Sequence, residues 1–277
     1  MEAISSPEVA YSPFTEFTNV LRSEFTKLRS VRSTYWTLFA AVVFTIGLGV
    51  LGAFVVPAHL QAHDRATFNA TRLSLSGVNL AQIAVGVLGV LIITNEYGTG
   101  MIRATLSAVP QRRLVLAAKG VVFAAVALVV GLIASFIAYF VTQAILSGQH
   151  PAAFAGRQLQ SSLSDPGVLR AVAGAGLYLA VLGLLGLGLG AIIRVSAGAI
   201  SALFGLLFVL PIFSAAALPQ SWQNTINPYL PFNAGSDIFK VRLDPTDLGP
   251  WAGFGVFCIY AAVALAVACV VISRRDA

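Results

Sequence analysis

Apolar residues along the chain are gathered into six long runs separated by more polar segments. The runs cover residues 35–56, 77–93, 120–141, 171–193, 195–218 and 251–272, and none of them contains Asp, Glu, Lys or Arg. A helix needs about 20 apolar residues to cross a bilayer, and a charged residue at its centre is costly. The pattern predicts six transmembrane helices and an all-α polytopic fold, because a membrane barrel shows short alternating segments instead.

A shorter amphipathic segment precedes the first run. Ser12 and Pro13 form a typical N-cap and first helical residue. Apolar residues then recur at steps of three and four on one helical face: Phe14, Phe17, Leu21, Phe25 and Leu28. Basic residues occupy the other faces, so the pattern predicts an interfacial helix that lies on anionic lipid. A helix packed on a partner protein is the alternative. Residues 1–34 are assigned to this N-terminal segment and residues 35–277 to the six-span domain.

The fourth and fifth runs contain residues that shape helix packing. The fourth is rich in glycine: Gly174, Gly176, Gly183, Gly186, Gly188 and Gly190. Gly186 and Gly190 have the GxxxG spacing that lets two helices approach closely. The spacing fits a contact between two copies and a contact within one bundle equally well. In the fifth run, Pro211 predicts a kink.

The composition indicates a membrane protein, and the distribution of charge predicts its orientation in the membrane. The chain has 277 residues, of which 57% are hydrophobic and only 10% charged, against about 25% charged in soluble domains. Most soluble enzymes are therefore excluded. Eleven Lys and Arg residues flank the spans on the side of the two termini, and six flank them on the other side. By the positive-inside rule, both termini are cytoplasmic. The net charge of +6 is a topology signal rather than a sign of nucleic-acid binding.

Motifs of catalysis and ion coupling are missing from the sequence. There is no GxxxxGK[ST] phosphate loop, no HExxH and no GxSxG motif. His59, His63 and Asp64 have a spacing that can hold a metal on a helix, but we interpret them as solvated loop residues. The spans contain no carboxylate, although ion-coupled transporters usually carry one. If the protein moves a solute uphill, the energy comes from another subunit.

The segment at residues 95–113 has the composition of a short docking helix. Gly98 and Gly100 permit a chain reversal, Thr99 is placed to cap a following helix, and Pro110 ends that helix. An apolar edge lies between them: Met101, Ile102, Thr105 and Leu106. Such a helix has about two turns and is too short to be stable alone. The pattern predicts an element that presses into a groove on a partner protein; a loop lying on lipid headgroups is the alternative.

These residues resemble a known family. The pattern consists of Glu96, Gly98, Thr99, Leu106, Pro110, Arg112, Arg113 and Lys119. It is similar to the loop between the second and third spans of ATP-binding-cassette (ABC) transporter permeases of the type-2 exporter class. In that family the loop is the coupling helix, which contacts the ATPase subunit. The Pro-punctuated segment at 218–231 and the amphipathic N-terminal helix also resemble the family. Many relatives carry an acidic residue after Gly-Thr, where this chain has residues 100–103.

The resemblance implies a permease that works in the plasma membrane as a dimer, with two copies of a separate ATP-binding subunit. ATP and Mg²⁺ belong to that subunit, and no catalytic site or cofactor is expected in this chain. The implied ATPase-coupling residues are Glu96, Gly98, Thr99, Met101, Ile102, Arg103, Thr105, Leu106, Pro110, Arg112 and Arg113.

The resemblance also implies a substrate pathway between the two permeases, lined by the second and fifth spans. The nominated residues are Asn79, Gln82, Gly86, Gly89, Phe204, Phe208 and Ile212. Such a lining predicts a drug-like, lipid or peptide cargo. A non-transporting membrane scaffold or assembly protein and a passive channel remain the alternatives.

Overall fold

The computed structural model describes residues 13–59, 68–109, 111–148 and 159–274, with side chains from residue 17 onward. Ser12, Phe14, His63, Asp64 and Pro110 figure in the sequence predictions, but their side chains lie outside this part of the protein.

The described residues are mostly helical and form no strand. In chain order the α-helices are α1 (Pro13–Ser30), α2 (Arg32–His59), α3 (Ala70–Ser74), α4 (Val78–Gly98), α5 (Met101–Ala108), α6 (Arg112–Ser147), α7 (Val168–Ile193), α8 (Ser196–Phe204), α9 (Leu210–Ala217), α10 (Gln220–Ile226), α11 (Pro231–Ser236) and α12 (Pro250–Arg274). Within the described ranges, six helical segments are long and apolar enough to cross a membrane: α2, α4, α6, α7, the combined segment Ser196–Ala217 and α12. The predicted all-α fold with six spans is confirmed.

Two helices extend well beyond the apolar runs that predicted them. The run at 77–93 corresponds to α4, which continues to Gly98, and the run at 120–141 corresponds to α6, which begins at Arg112. Glu96 and Lys119 therefore lie within helices rather than in a loop. A helix can continue past a charged residue when that residue finds a partner of opposite charge.

The spans define two ends of the bundle. Because successive spans run in opposite directions, α2 and α6 begin, and α4, α7 and α12 end, at the same end. Arg112 of α6 accordingly bonds the carbonyl of Ile272 in α12, and Ser196 of α8 bonds Thr94 of α4. This end, which also carries α1 and α5, is called the basal end. The opposite end, with α3, α10 and α11, is called the distal end.

The glycine-rich helix α7 is the centre of the bundle and packs against α4, α6 and α12. A Cβ atom built on Gly176 would lie 2.8 Å from the backbone N of Leu132 in α6. One built on Gly188 would lie 2.9 Å from the side chain of Ala264 in α12. These distances are shorter than any normal carbon contact, so glycine is required for the helices to approach so closely.

The GxxxG pair faces a helix of the same chain. A Cβ on Gly186 would lie 2.6 Å from the carbonyl oxygen of Gly86 in α4, and one on Gly190 would lie 2.9 Å from that of Val90. Of the two arrangements that the sequence leaves open, the structure therefore has the contact within one bundle. The helices α4 and α7 meet backbone to backbone.

The fifth span is interrupted at its middle. A π-helical turn, Gly205–Val209, joins α8 to α9, and the N–H of Leu210 bonds the carbonyl of Gly205. Pro211 follows within the first turn of α9. Because proline has no N–H to donate, the regular hydrogen-bond ladder cannot continue through it. The kink predicted at Pro211 remains a prediction, and the structure has a π-helical turn just before this residue.

The N-terminal helix α1 packs on α6, and its predicted apolar face is divided between the bundle, against which Leu28 packs, and the surface. Val20 and Glu24 are buried, whereas Phe25 is 48% exposed. The reason is electrostatic: Glu24 turns inward to meet lysine side chains of the bundle.

Candidate functional site

The short helix α5 crosses the basal end between α4 and α6. Gly100 has a φ of 72° and makes the reversal that leads from α4 into α5, a conformation that favours glycine. The hydroxyl of Thr99 donates to the carbonyl of Asn95, at 2.8 Å. The predicted capping of α5 by Thr99 is therefore wrong, because this hydroxyl bonds back to the last turn of α4.

The two faces of α5 differ in exposure. Ile102 is buried against the bundle, and Met101 is 43% exposed. Thr105 and Leu106 are half-buried. The exposed residues of α5 are Met101, Arg103, Ala104, Ser107 and Ala108. The predicted apolar edge is thus divided: part of it anchors α5 to its own chain, and a face of small and apolar side chains remains open.

An open groove of about 720 Å³ separates α5 from α1. From α1 it is lined by Asn19, Val20, Ser23, Glu24 and Lys27, and from α5 by Met101, Ala104, Thr105 and Ala108. The groove is closed at its base by Val115 of α6. A docking element of a second protein that enters it would touch α1 and α5 at once.

Four charged side chains beside this groove form one cluster, in which Lys27 is half-buried and the other three are buried. We call it the basal ion cluster: Glu24, Lys27, Glu96 and Lys119. Lys119 of α6, which is only 3% exposed, lies 2.5 Å from Glu24 and 2.7 Å from Glu96. Lys27 lies 2.7 Å from Glu24 and 3.5 Å from Glu96. The cluster joins α1, α4 and α6 and has two charges of each sign.

The basal ion cluster is also connected to α5. Lys27 donates a hydrogen bond to the hydroxyl of Thr105, at 3.1 Å. Removing one member of such a buried set leaves an uncompensated charge, which costs about 3–5 kcal/mol. The position of α5 is therefore tied to a part of the bundle in which any rearrangement is costly.

Sequence reasoning identified Glu96 and Thr105 but missed the roles of Glu24 and Lys27. Glu24 is 95 residues from Lys119, and no local pattern connects residues that far apart. One signal was present. Lys119 adjoins an apolar run, and a lysine next to a membrane helix needs a carboxylate partner if it is buried.

The other predicted coupling residues take different positions. Gly98 is the last residue of α4, with open space around it. Arg103 points outward on α5. Arg112 and Arg113 lie at the start of α6 and bond Ile272 and Ser273 of α12, so they fasten the ends of two spans together. Pro110 lies outside the described residues.

On α4, most of the nominated pathway residues are buried in the chain's own packing. Gln82 accepts a hydrogen bond from the hydroxyl of the buried Tyr178 of α7. A Cβ on Gly89 would lie 2.2 Å from the carbonyl oxygen of Gly183, and one on Gly86 would meet Leu203 of α8 at 2.8 Å. Only Asn79 of this nominated set is exposed.

On the fifth span, the nominated residues lie nearer the surface. The rings of Phe204 and Phe208 stack at 5.6 Å, and Phe208 also approaches Phe232 of α11 at 6.0 Å. Ile212 is 67% exposed. The exposed members, Asn79 and Ile212, are both in the distal half of the bundle.

A second charged group lies at the distal end. Lys240 lies 2.8 Å from Asp237 and 3.0 Å from Asp247. Arg170 of α7 donates to the carbonyls of Ile238 and Lys240, at 2.8 and 2.9 Å. Asp237 is 1% exposed, and burial raises the pKa of its carboxyl to about 6. These contacts fasten the segment between the fifth and sixth spans to α7.

Metal ligation finds no support in the described part of the chain, where no group of three or more His, Cys, Asp or Glu residues is placed to hold a metal ion.

Comparison with known proteins gives one result. The model of the family described as ABC-2 family transporter protein matches residues 20–163, which is more than half of the 277 residues. The match includes α1 from residue 20 onward, α5 and all four members of the basal ion cluster. No curated protein matches the chain. The protein belongs to the ABC-2 transporter family and is a multi-pass membrane permease subunit of an ABC transporter.

Proposed function

We propose that this permease is the membrane part of an ATP-driven exporter and that α5 is the element through which a separate ABC ATPase moves it. Family membership implies pairing with an ATP-binding subunit. ATP and Mg²⁺ bind to that subunit in this proposal, and this chain contributes no hydrolytic site. The main observation in support of the proposal is that one face of α5 is exposed while its residue Thr105 is hydrogen-bonded to the basal ion cluster.

The contacts support a mechanical role for α5. A force on its exposed face reaches Lys27 through Thr105, and Lys27 belongs to a cluster shared by α1, α4 and α6. These elements can move only as a unit, because separating them exposes unpaired charges. Interfaces of this kind switch between discrete arrangements rather than deform continuously. Closure of the ATPase pair would therefore shift the second and third spans together.

The proposed substrate route runs between two copies of the chain, along α4 and the fifth span. Thr94 bonds Ser196, and Gly86 lies against Leu203, so α4 and α8 are antiparallel neighbours. Continued toward the distal end, this register brings Asn79 to the level of Ile212. The exposed side chains there are mainly aliphatic or aromatic, which fits a drug-like, lipid or peptide cargo.

The excess of basic residues at the basal end supports our proposal that this end, and both termini, are cytoplasmic. This orientation is what the proposed role of α5 requires, since the ATPase is cytoplasmic. The plasma membrane is the location that the family resemblance implies, and it is part of this proposal.

Co-expression with a candidate ABC ATP-binding subunit tests the proposal. Met101→Asp combined with Ala104→Asp places two charges on the exposed face of α5 and should abolish both complex formation and stimulation of ATP hydrolysis. The matched control is Ser221→Asp with Thr225→Asp, because these two residues are exposed on α10 at the distal end. An α5 variant that still binds and stimulates the ATPase would show that α5 is not the contact.

The rival functions predict different results in the same system. A scaffold binds the ATPase without ATP-dependent movement of any cargo into vesicles. A passive channel conducts without the ATPase. Transport that needs both the ATPase and an intact α5 distinguishes the exporter from both.

A further inference from the structure

An apolar groove runs along the outer side of the α1–α6 contact, on the face of α1 next to its buried carboxylate Glu24. Its volume is about 530 Å³. From α1 it is lined by Leu21, Arg22 and Phe25, and from α6 by Val121, Val122, Ala125, Val126, Val129 and Val130. The lining on α6 covers nine residue steps, or about 13 Å along the helix axis. The groove therefore extends from α1 along a membrane-spanning helix.

Arg22 is the charged residue of this lining, and it has no carboxylate partner among the described residues. Its side chain is exposed. The described carboxylates of the basal end, Glu24 and Glu96, are both buried and paired with lysines. A second copy of these residues thus offers Arg22 no accessible negative charge. The phosphate of a lipid headgroup offers Arg22 an accessible negative charge, and a guanidinium binds phosphate through charge-assisted hydrogen bonds.

The shape of the groove fits the rest of a lipid. Branched and short side chains on α6 leave a channel, and the ring of Phe25, 48% exposed, forms its wall on the side of α1. Val121 and Val129 are 53% and 54% exposed, so this stretch of α6 faces the surroundings of the bundle. An acyl chain in the groove would cover these side chains.

We propose that the groove between α1 and α6 is a binding site for one anionic glycerophospholipid. Arg22 holds the phosphate, and one acyl chain lies along Val121–Val130 of α6 in the leaflet that α1 borders. The lipid then fastens α1 to α6 from outside, whereas Glu24 and Lys119 fasten the same two helices from inside. This site does not depend on whether the protein exports a cargo.

Native mass spectrometry of the purified chain tests the site, with phosphatidylglycerol and phosphatidylcholine of identical acyl chains as competing probes. The expected result is one retained phosphatidylglycerol per chain, favoured about tenfold or more over phosphatidylcholine. Arg22→Gln should remove that preference, and Arg22→Lys should keep most of it. Arg29→Gln is the matched control, because Arg29 is exposed on the same face of α1, two turns further on.

Groove-filling variants test the acyl-chain position. Ala125→Phe and Val129→Trp should each prevent retention of the lipid. Ala144→Phe, an exposed alanine near the other end of α6, should not. All the replaced side chains are exposed, so each variant should unfold at the wild-type temperature in phosphatidylcholine. Phosphatidylglycerol should raise that temperature in the wild type and not in Ala125→Phe, since a ligand stabilises only the state that binds it.

Three results would overturn the proposal. Equal retention of the two lipids would exclude selection of an anionic lipid, because phosphatidylcholine carries the same phosphate with its charge balanced by choline. An equal loss in Arg22→Gln and Arg29→Gln would indicate diffuse attraction to a basic helix. A second protein chain that occupies the groove, seen as a dimer lost in Ala125→Phe, would replace the lipid.

Discussion

Lys27 of α1 donates a hydrogen bond to Thr105 of α5 at 3.1 Å, although the two residues are 78 positions apart in the chain. The contact makes α5 part of the same electrostatic unit as α1, α4 and α6. A substitution at this contact can therefore test whether transmission of motion is separable from binding of the ATPase.

Thr105→Val should weaken coupling without preventing assembly. The substitution keeps the shape of the side chain and removes the acceptor, at a cost of about 1 kcal/mol in unfolding free energy. We expect the ATPase to bind normally and its stimulation by the permease to fall. Ser107→Ala is the control, because the hydroxyl of Ser107 donates to the carbonyl of Arg103 within α5 itself. Equal stimulation in the two variants would contradict the role given to Thr105.

Lys119→Met should be among the most destabilising single changes. It leaves Glu24 and Glu96 as adjacent buried carboxylates, which should lower the free energy of unfolding by about 3–5 kcal/mol. Arg113→Met removes an exposed contact with Ser273 and should cost about 1 kcal/mol or less. Unfolding in detergent measures both, and a similar stability for the two variants would show that the cluster is not structurally important.

A pair of glycine substitutions tests the contact between α4 and α7. A Cβ on Gly89 would lie 2.2 Å from the carbonyl oxygen of Gly183, whereas one on Gly47 of α2 has nothing within 4 Å. Gly89→Ala should therefore destabilise the protein by about 1–3 kcal/mol or more. Gly47→Ala should be neutral or stabilising by up to about 1 kcal/mol. Thermal unfolding compares the two, and the prediction is wrong if Gly89→Ala is tolerated as well as Gly47→Ala.

The distal carboxyl of Asp237 should make stability depend on pH. Burial raises its pKa from 3.8 to about 6, so the folded protein holds this proton more tightly than the unfolded chain. The resulting stabilisation is complete below about pH 4 and is lost as the pH rises through 6. Lys240 and Asp247 face the same carboxyl, and Arg170 bonds the adjacent backbone.

Comparison with Asp237→Asn isolates this effect. Between about pH 7.5 and about pH 5, the wild type should gain roughly 1.4 kcal/mol of unfolding free energy relative to the variant. Asp244→Asn, at an exposed position of the same segment, should follow the wild-type curve. Parallel curves for the wild type and Asp237→Asn would refute the assignment.

Cysteine cross-linking tests the proposed route between two copies. In a background with Cys258 and Cys269 replaced by serine, Ile212→Cys should form an oxidised dimer in membranes. Phe140→Cys, 54% exposed on α6, should remain monomeric. A dimer through Phe140→Cys alone would place the contact between copies on α6 and away from the fifth span.

Hydrophobic periodicity was sufficient for the spans and for α5, because both depend on local signals. An apolar run near 20 residues predicts a membrane helix wherever it occurs, and Gly100 marks the start of α5 by its backbone conformation alone. The exact bounds of α4 and α6 were beyond this reasoning, because a run defined by composition stops at its first charge. Whether Glu96 and Lys119 continue a helix depends on partners that lie on other elements.

The error over Thr99 and the choice left open for the glycines of α7 have the same origin. Thr99 is equally able to cap a following helix or to bond back to the preceding one, and the left-handed turn at Gly100 decides between them. The glycines of α7 indicate a close approach, but only the fold shows that α4 is the neighbour. The interfacial position of α1 and the pathway residues remain predictions.

The backbone contact of α4 with α7 has a mechanical consequence. Where two helices pack through long side chains, a displacement of one is partly absorbed by rotamer changes before the other moves. Between Gly89 and Gly183 there is no side chain to rearrange. The two helices should therefore move together as one rigid unit. A displacement of α4 at the basal end should be transmitted to the distal end without being absorbed by side-chain rearrangement at this contact.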